Sequence, residues 1–153
     1  MQLNLKDIDI LKRLQEDAGV SNVELARHVG LSPSACLARV RSLKSRGIIQ
    51  TIRAELDEAK LGFTLHVFVY IKLEKQTPDT VTYLEGAAKM NPRIQDCFRM
   101  TGDFDYMLRL LLRETSDLDF FLAHELSRIP DIASIRTEVA MKNAKRCRLI
   151  PLK

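Results

Sequence analysis

The sequence predicts an α+β chain in two parts, and three observations carry that prediction. Capped helix signals crowd the first third, strand and helix patterns alternate through the rest, and a short charged stretch ending in Gly62 separates them. The 153 residues are 46% hydrophobic and 29% charged, with six Gly, five Pro, three Cys and no Trp, which excludes collagen-like, disordered and disulfide-scaffold classes. No apolar run nears the roughly 20 residues needed to span a bilayer. Residues 1–7 lack a basic segment followed by an apolar core, so no signal peptide is expected. Cys36, Cys97 and Cys147, odd in number and far apart, fit a reducing cytoplasm.

The helices come first. Asn4 with Asp7 three residues on is a cap, and Leu5, Ile8, Leu11 and Leu14 follow at helical spacing. Ser21 and Glu24 form a second capping box, opening a short helix that buries Leu25, Ala26 and Val29 and stops at Gly30. Ser32 is a third cap, and Pro33 sits at the first helical position, where its missing N–H costs nothing. This third helix runs to about Arg46, and Gly47 ends it. Residues 48–56 are rich in β-formers and read as a strand or wing. We therefore expect a first domain over residues 1–56, a linker over 57–63 and a second domain over 64–153.

The second part reads strand, helix, strand, strand, helix, strand. Residues 65–73 form a strand with an aliphatic row at Leu65, Val67, Val69, Ile71 and Leu73. Thr77-Pro78-Asp79 opens a helix carrying Val81, Leu84 and Ala88, closed by Asn91-Pro92. Residues 94–101 and 106–113 are strands joined through the turn at 102–105. A helix capped near Ser116 carries Leu118, Phe121, Leu122, Leu126 and Ile129, and Pro130 stops it; residues 132–141 are the last strand. The order βαββαβ predicts a ferredoxin-like sandwich with both helices on one face of an antiparallel sheet. Its other face would carry His66, Phe68, Tyr70 and Lys72 from the first strand, too apolar for free solvation, so a second subunit is expected to cover it.

Charge distribution narrows the function. The net charge is +4, and between Leu25 and Ala54 six cations (Arg27, Arg39, Arg41, Lys44, Arg46, Arg53) stand with no Asp or Glu. A basic block of this kind is an electrostatic footprint for nucleic acid, or else a solvated helix face. On the third helix, Leu37, Val40 and Leu43 with Cys36 are expected to face inward. Ala35, Ala38 and Ser42, edged by Ser34 and Ser45 and flanked by Arg39, Arg41 and Arg46, then face outward. A strip of small side chains lets a helix seat deeply in a groove, and guanidinium groups beside it reach guanine edges or phosphates. With the preceding helix and its Gly turn this makes a helix-turn-helix, whose second helix enters the major groove of double-stranded DNA. The plain alternative is a three-helix packing unit with a basic exterior. We expect Asn22, Ser32, Ser34, Ala35, Ala38, Arg39, Arg41, Ser42, Lys44, Arg46 and Arg53 to contact DNA.

Residues 22–40 resemble the helix-turn-helix of the Lrp/AsnC (leucine-responsive, feast/famine) bacterial transcription regulators, and residues 101–106 resemble the turn of that family's amino-acid-metabolism regulatory (RAM) domain. The family often has Pro where this chain has Ala35. The resemblance covers nearly the whole chain. It implies a winged helix-turn-helix followed by the RAM sandwich, and a homodimer that assembles further to a tetramer or octamer. It also implies a small effector, commonly an amino acid, held by Thr101, Gly102, Asp103, Asp105 and Tyr106, met by Glu138 and Val139 of a neighbouring subunit. Turn N–H groups can bind an α-carboxylate and acidic side chains an α-ammonium, and three acids in one pocket would favour a ligand with an extra cation. In the plain alternative, Asp103 and Asp105 only shape the hairpin.

No cofactor or metal is expected: His28, His66 and His124 lie far apart without ligand spacing, and no phosphate loop, nucleophile elbow or CxxC motif occurs. Cys36 reads as core, and Cys147 lies in a basic tail beside Lys145, Arg146 and Arg148 that either touches DNA or is solvated. A transcription regulator leads, not an enzyme. The alternatives are a tetrapyrrole decarboxylase of the haem pathway on the same scaffold and a ligand-binding module without DNA affinity.

Overall fold

A computed structural model describes residues 3–145 and 149–153. Cys147, Arg146 and Arg148 of the basic tail lie outside the described residues. The chain divides into two compact units, one of Met1–Leu56 with Lys145–Lys153, the other of Asp57–Ala144.

The first unit packs three helices, α1 (Leu5–Glu16), α2 (Asn22–Val29) and α3 (Pro33–Ser45). Both expected capping boxes form, Asn4 with Asp7 and Ser21 with Glu24, and Ser32 accepts from the Ala35 N–H with Pro33 just inside the helix. Gly30 closes α2 at φ 65°, a left-handed conformation that a side chain disfavours, and the chain turns there into α3. The core is Ile10, Leu11, Leu25, Ala26, Val29, Cys36 and Leu43. The register of α1 differs from the expected stripe. Leu5 lies outside it, and Asp7 is buried with Ile10 and Leu11. After α3, Ile48 and Ile49 pack on this core, and Leu152 of the tail joins them. Both backbone groups of Ile150 hydrogen-bond the Gln15 side chain, at 2.7 and 3.2 Å.

Residues 50–56 form no strand, contrary to the wing expected there. β-forming composition is not enough: a strand needs a neighbouring strand for its N–H and C=O groups, and the sheet formed by the described residues does not include this segment.

The second unit is the expected sandwich. Strands β1 (Leu65–Leu73), β2 (Ile94–Arg99), β3 (Tyr106–Leu112) and β4 (Ile132–Val139) lie in the order β2-β3-β1-β4. Every pairing is antiparallel. Helix α4 (Pro78–Met90) and a second helical segment supply the covering layer, with Val67, Val69, Ile71, Leu84, Leu108, Leu110, Phe121 and Leu126 in one core. The second helical segment is not a plain helix. α5 (Thr115–Phe120) is capped from Glu114 and not from Ser116, then passes into a π turn at Phe121–Glu125 and a 3-10 turn at Leu126–Arg128. The Leu126 N–H donates to the Phe121 carbonyl, so two residues five apart share the core-facing side. Residues 57–63, read as a linker, fold into turns within this unit, where Glu58 meets His66 at 3.5 Å.

Candidate nucleic-acid interface and effector site

The outward side of α3 is set by helical spacing from its buried residues, Cys36 and Leu43. Ser34, Ala38, Arg41, Ser42, Lys44 and Ser45 are exposed there, with Leu37 beside them. Two placements differ from the sequence reading. Leu37, expected inside, is 38% exposed, and Ala35, expected outside, is half-buried. The inward arc centres on Cys36 and Leu43, so a residue one position past Cys36 turns out of it.

Arg39 differs more. It was expected to flank the groove-facing strip, but its Nη1 lies 3.0 Å from Oδ1 of the buried Asp7 on α1. That carboxylate also accepts from the Asn4 N–H, at 3.3 Å, so one side chain closes the α1 cap and holds α3. Arg39 thus ties α3 to α1, while Arg41 is exposed on the outward face. Asn22 also ties elements together, its amide donating to the Pro33 carbonyl at 2.8 Å. Lys6 Nζ reaches the Val29 carbonyl at 2.5 Å, satisfying the end of α2. Ser32 is exposed at the α3 start, Arg46 is half-buried at its end, and Arg53 is exposed beyond it.

In the second unit the β2–β3 turn carries the other predicted site. Gly102 has φ 110°, a conformation that suits glycine, and Thr101, Gly102 and Asp103 are exposed. Asp105 is buried and fully used: its carboxylate accepts from the Leu73 N–H and the Gln76 amide, each at 2.7 Å, and lies 3.6 Å from Lys72 Nζ. It locks the turn to the end of β1. Tyr106 is buried on the helix-covered face, its phenol donating to Glu85 Oε1 at 3.0 Å. Burial first, then Glu85, push that phenol up to about 12.

Within one chain the seven expected effector residues do not converge. Glu138 stands opposite Phe68 on β1, whereas Asp105 binds at Ile71 and Leu73, and Glu138 and Val139 fall on opposite faces of the sheet. Glu138 is also paired with Arg136 at 3.2 Å. Of the three acids expected in one pocket, Asp105 is engaged by groups of β1 and its end about thirty residues earlier and Glu138 by Arg136 two residues before it, which leaves Asp103 without a side-chain partner among the described residues. The sequence reading missed Arg136, whose guanidinium lies 4.6 Å from the Tyr70 ring centre and 4.7 Å from that of Phe104. Alternation along β4 was its one visible signal.

Comparison with known proteins decides the family. Residues 3–50 match the winged helix-turn-helix DNA-binding family, and residues 66–150 match the Lrp/AsnC ligand binding domain. The chain belongs to the Lrp/AsnC family. It is 36% identical to the transcriptional regulator AzlB of Bacillus subtilis, over 99% of this chain and 97% of the relative. It is 39% identical to the leucine-responsive regulatory protein of Escherichia coli, over 96% and 90% respectively. Among solved structures, a transcriptional regulator of Neisseria meningitidis in complex with L-Met superposes with a TM-score of 0.92 at 28% identity, covering 99% of this chain and 97% of that one. The Lrp/AsnC relatives are transcription regulators with a DNA-binding helix-turn-helix, so this chain is a regulator and not an enzyme, and the decarboxylase alternative gains no support.

Proposed function

We propose that this Lrp/AsnC regulator binds operator DNA through the outward face of α3 and adjusts that binding to an amino acid held near the β2–β3 turn. The observation that carries the reading is the face itself. Ser34, Ala38, Ser42 and Ser45 leave room for a groove, Arg41 and Lys44 add charge, and Arg39 is withdrawn to brace the helix. Asn22 and Ser32 shape the entry to α3; Ala35, Arg46 and Arg53 complete the contact set, the last two toward phosphates.

Residues 1–56 serve as the DNA-binding domain, with the tail from Lys145 packed on them, 57–63 as the connection, and 64–144 as the effector and assembly domain, in a cytoplasmic protein. The uncovered sheet face, with Phe68, Tyr70, Met107 and Phe98, supports a dimer in which a second copy lies against it. Residues 50–56 of two copies would pair as wing strands, and dimers would assemble to tetramers or octamers. The effector site is then completed between copies, by Thr101, Gly102 and Asp103 from one turn and Glu138 and Val139 from a neighbour, with Asp105 and Tyr106 holding the turn in place. With two of the three acids already engaged, a neutral amino acid fits better than one with an extra cation. The L-Met complex of the Neisseria relative and the name of the leucine-responsive relative support that choice.

The test is a fluorescence-anisotropy titration against the DNA upstream of the chain's own gene and against random DNA, at two salt concentrations, with and without pooled neutral amino acids. Salt-steep binding that prefers an approximate palindrome with half-sites about one turn apart, and that shifts with one pool, is expected. No preference over random DNA across a genomic fragment library would refute the reading.

A further inference from the structure

The chain crosses between its two units twice. It leaves the first after Leu56 and returns to it at Lys145, so the C-terminal segment belongs with the helices and not with the sheet it follows. Within that segment, Leu149–Lys153 is held at two points. Gln15 on α1 spends both ends of its amide on one residue: Oε1 accepts from the Ile150 N–H at 2.7 Å, and Nε2 donates to the Ile150 carbonyl at 3.2 Å. Used this way, a primary amide takes the place of a neighbouring strand for a single residue. The Leu152 N–H donates to the same carbonyl at 2.9 Å, closing a three-residue turn with Pro151 at its centre. The proline ring fixes φ at about −65°, close to what that turn needs, and the turn brings Leu152 onto the three-helix core.

The hold is specific but small. Leu149 and Ile150 keep 50% and 66% of their surface in solvent, so Ile150 is fixed through its main chain and the apolar anchor is Leu152. A permanent brace would bury the two apolar side chains that this segment leaves outside. One half-buried leucine and one amide pairing instead make a contact that opens far more readily than the core beneath it.

We propose that Leu149–Lys153 is a releasable strap on the DNA-binding unit. Docked on α1, it gives that unit a second attachment to the effector and assembly domain, by a route that follows β4 in the chain. Released, the unit is attached through residues 50–56, which form no strand. Two attachments restrict how far a unit can swing, and a restricted pair of recognition helices accepts one half-site spacing in preference to others. This consequence for DNA rests on the DNA-binding reading above; the docking itself does not.

The test compares the full chain with Leu152→Ser, Gln15→Ala and the control Ile150→Ala, by peptide-resolved amide hydrogen exchange and by anisotropy on an operator selected from random DNA. In the parent, the C-terminal peptide is expected to exchange about tenfold or more slower than an unprotected chain, independently of protein concentration. That protection should be lost in Leu152→Ser and Gln15→Ala and kept in Ile150→Ala, while exchange within α2 and α3 reports that each variant stays folded. Inserting about five base pairs, half a helical turn, between the half-sites is expected to weaken binding about tenfold or more in the parent and Ile150→Ala, but about threefold or less in the two strap variants. Affinity for an isolated half-site should be equal in all four. Unprotected exchange in the parent would overturn the strap, as would protection that falls on dilution and so places the segment on a neighbouring copy. A spacing penalty equal in parent and strap variants would overturn its restraint of the DNA-binding unit. If the parent selects no operator, the DNA-binding reading falls and the restraint falls with it, while the exchange still shows whether the segment is docked.

Discussion

Removing Arg39 should damage the fold, and removing Arg41 should damage DNA recognition, although the two are separated by one residue on the same helix. The Arg39–Asp7 contact at 3.0 Å carries a gross attraction of about 5 kcal/mol at an effective dielectric of 20 and about 1 kcal/mol in water. The guanidinium side chain is 36% exposed and the carboxylate 9%, so solvent screening on one side and desolvation on the other take most of this back. About 1–2 kcal/mol should remain. Arg39→Ala is therefore expected to lower the melting temperature of the DNA-binding unit by several degrees. The loss should shrink in an Asp7→Asn background, because the two residues share one interaction. Arg41→Ala is expected to leave the melt unchanged within about 0.5 kcal/mol. It should weaken operator binding by about 1–3 kcal/mol with lost discrimination at one base position, or uniformly with a smaller salt slope if it meets only phosphate. Thermal melts and anisotropy on the two single variants and the cycle decide the matter. An Arg39→Ala protein that melts like the parent yet loses one base preference would refute the assignment of Arg39 to bracing.

Other outcomes follow from the same geometry. Asp105→Ala should destabilise the second unit by about 2–3 kcal/mol in denaturant titrations, since the buried Leu73 N–H loses its acceptor; unchanged stability would return Asp105 to the effector site. Spectrophotometric titration of the three tyrosines should show one phase near 12 that disappears in Tyr106→Phe. Because the folded phenol titrates above its ordinary value of 10.0, its contribution to stability is present below that pH and is lost as pH rises toward 12. Glu24 behaves in the opposite sense. Its carboxyl is held below the ordinary 4.5 by the Ser21 hydroxyl and N–H, so the α2 cap is intact above that pH and weakens as acid carries the solution through the lowered value. Glu24→Ala should flatten that part of the acid melt.

Sequence alone determined the features that depend on a few neighbouring residues. The Asn4–Asp7 and Ser21–Glu24 boxes, Pro33 at the first turn of α3 and the aliphatic row of β1 are legible because a cap or an alternation is set by backbone geometry within about four residues. The order of those elements was enough for the sandwich topology and, with the quoted motifs, for the family. The side chains of the candidate sites were less legible. Arg39 reads from its helix as a free guanidinium, but its partner Asp7 comes from α1, 32 residues earlier. Asp105 reads as an effector ligand, but β1 supplies donors that bury it. The aromatic embrace of Arg136 needs Tyr70 from a neighbouring strand and Phe104 from the turn. Residues 50–56 have the composition of a strand and form none. Tertiary structure decided these because whether a charge or an N–H is free depends on which distant group packing brings within about 3 Å of it, and the spacing of letters along the chain does not encode that distance.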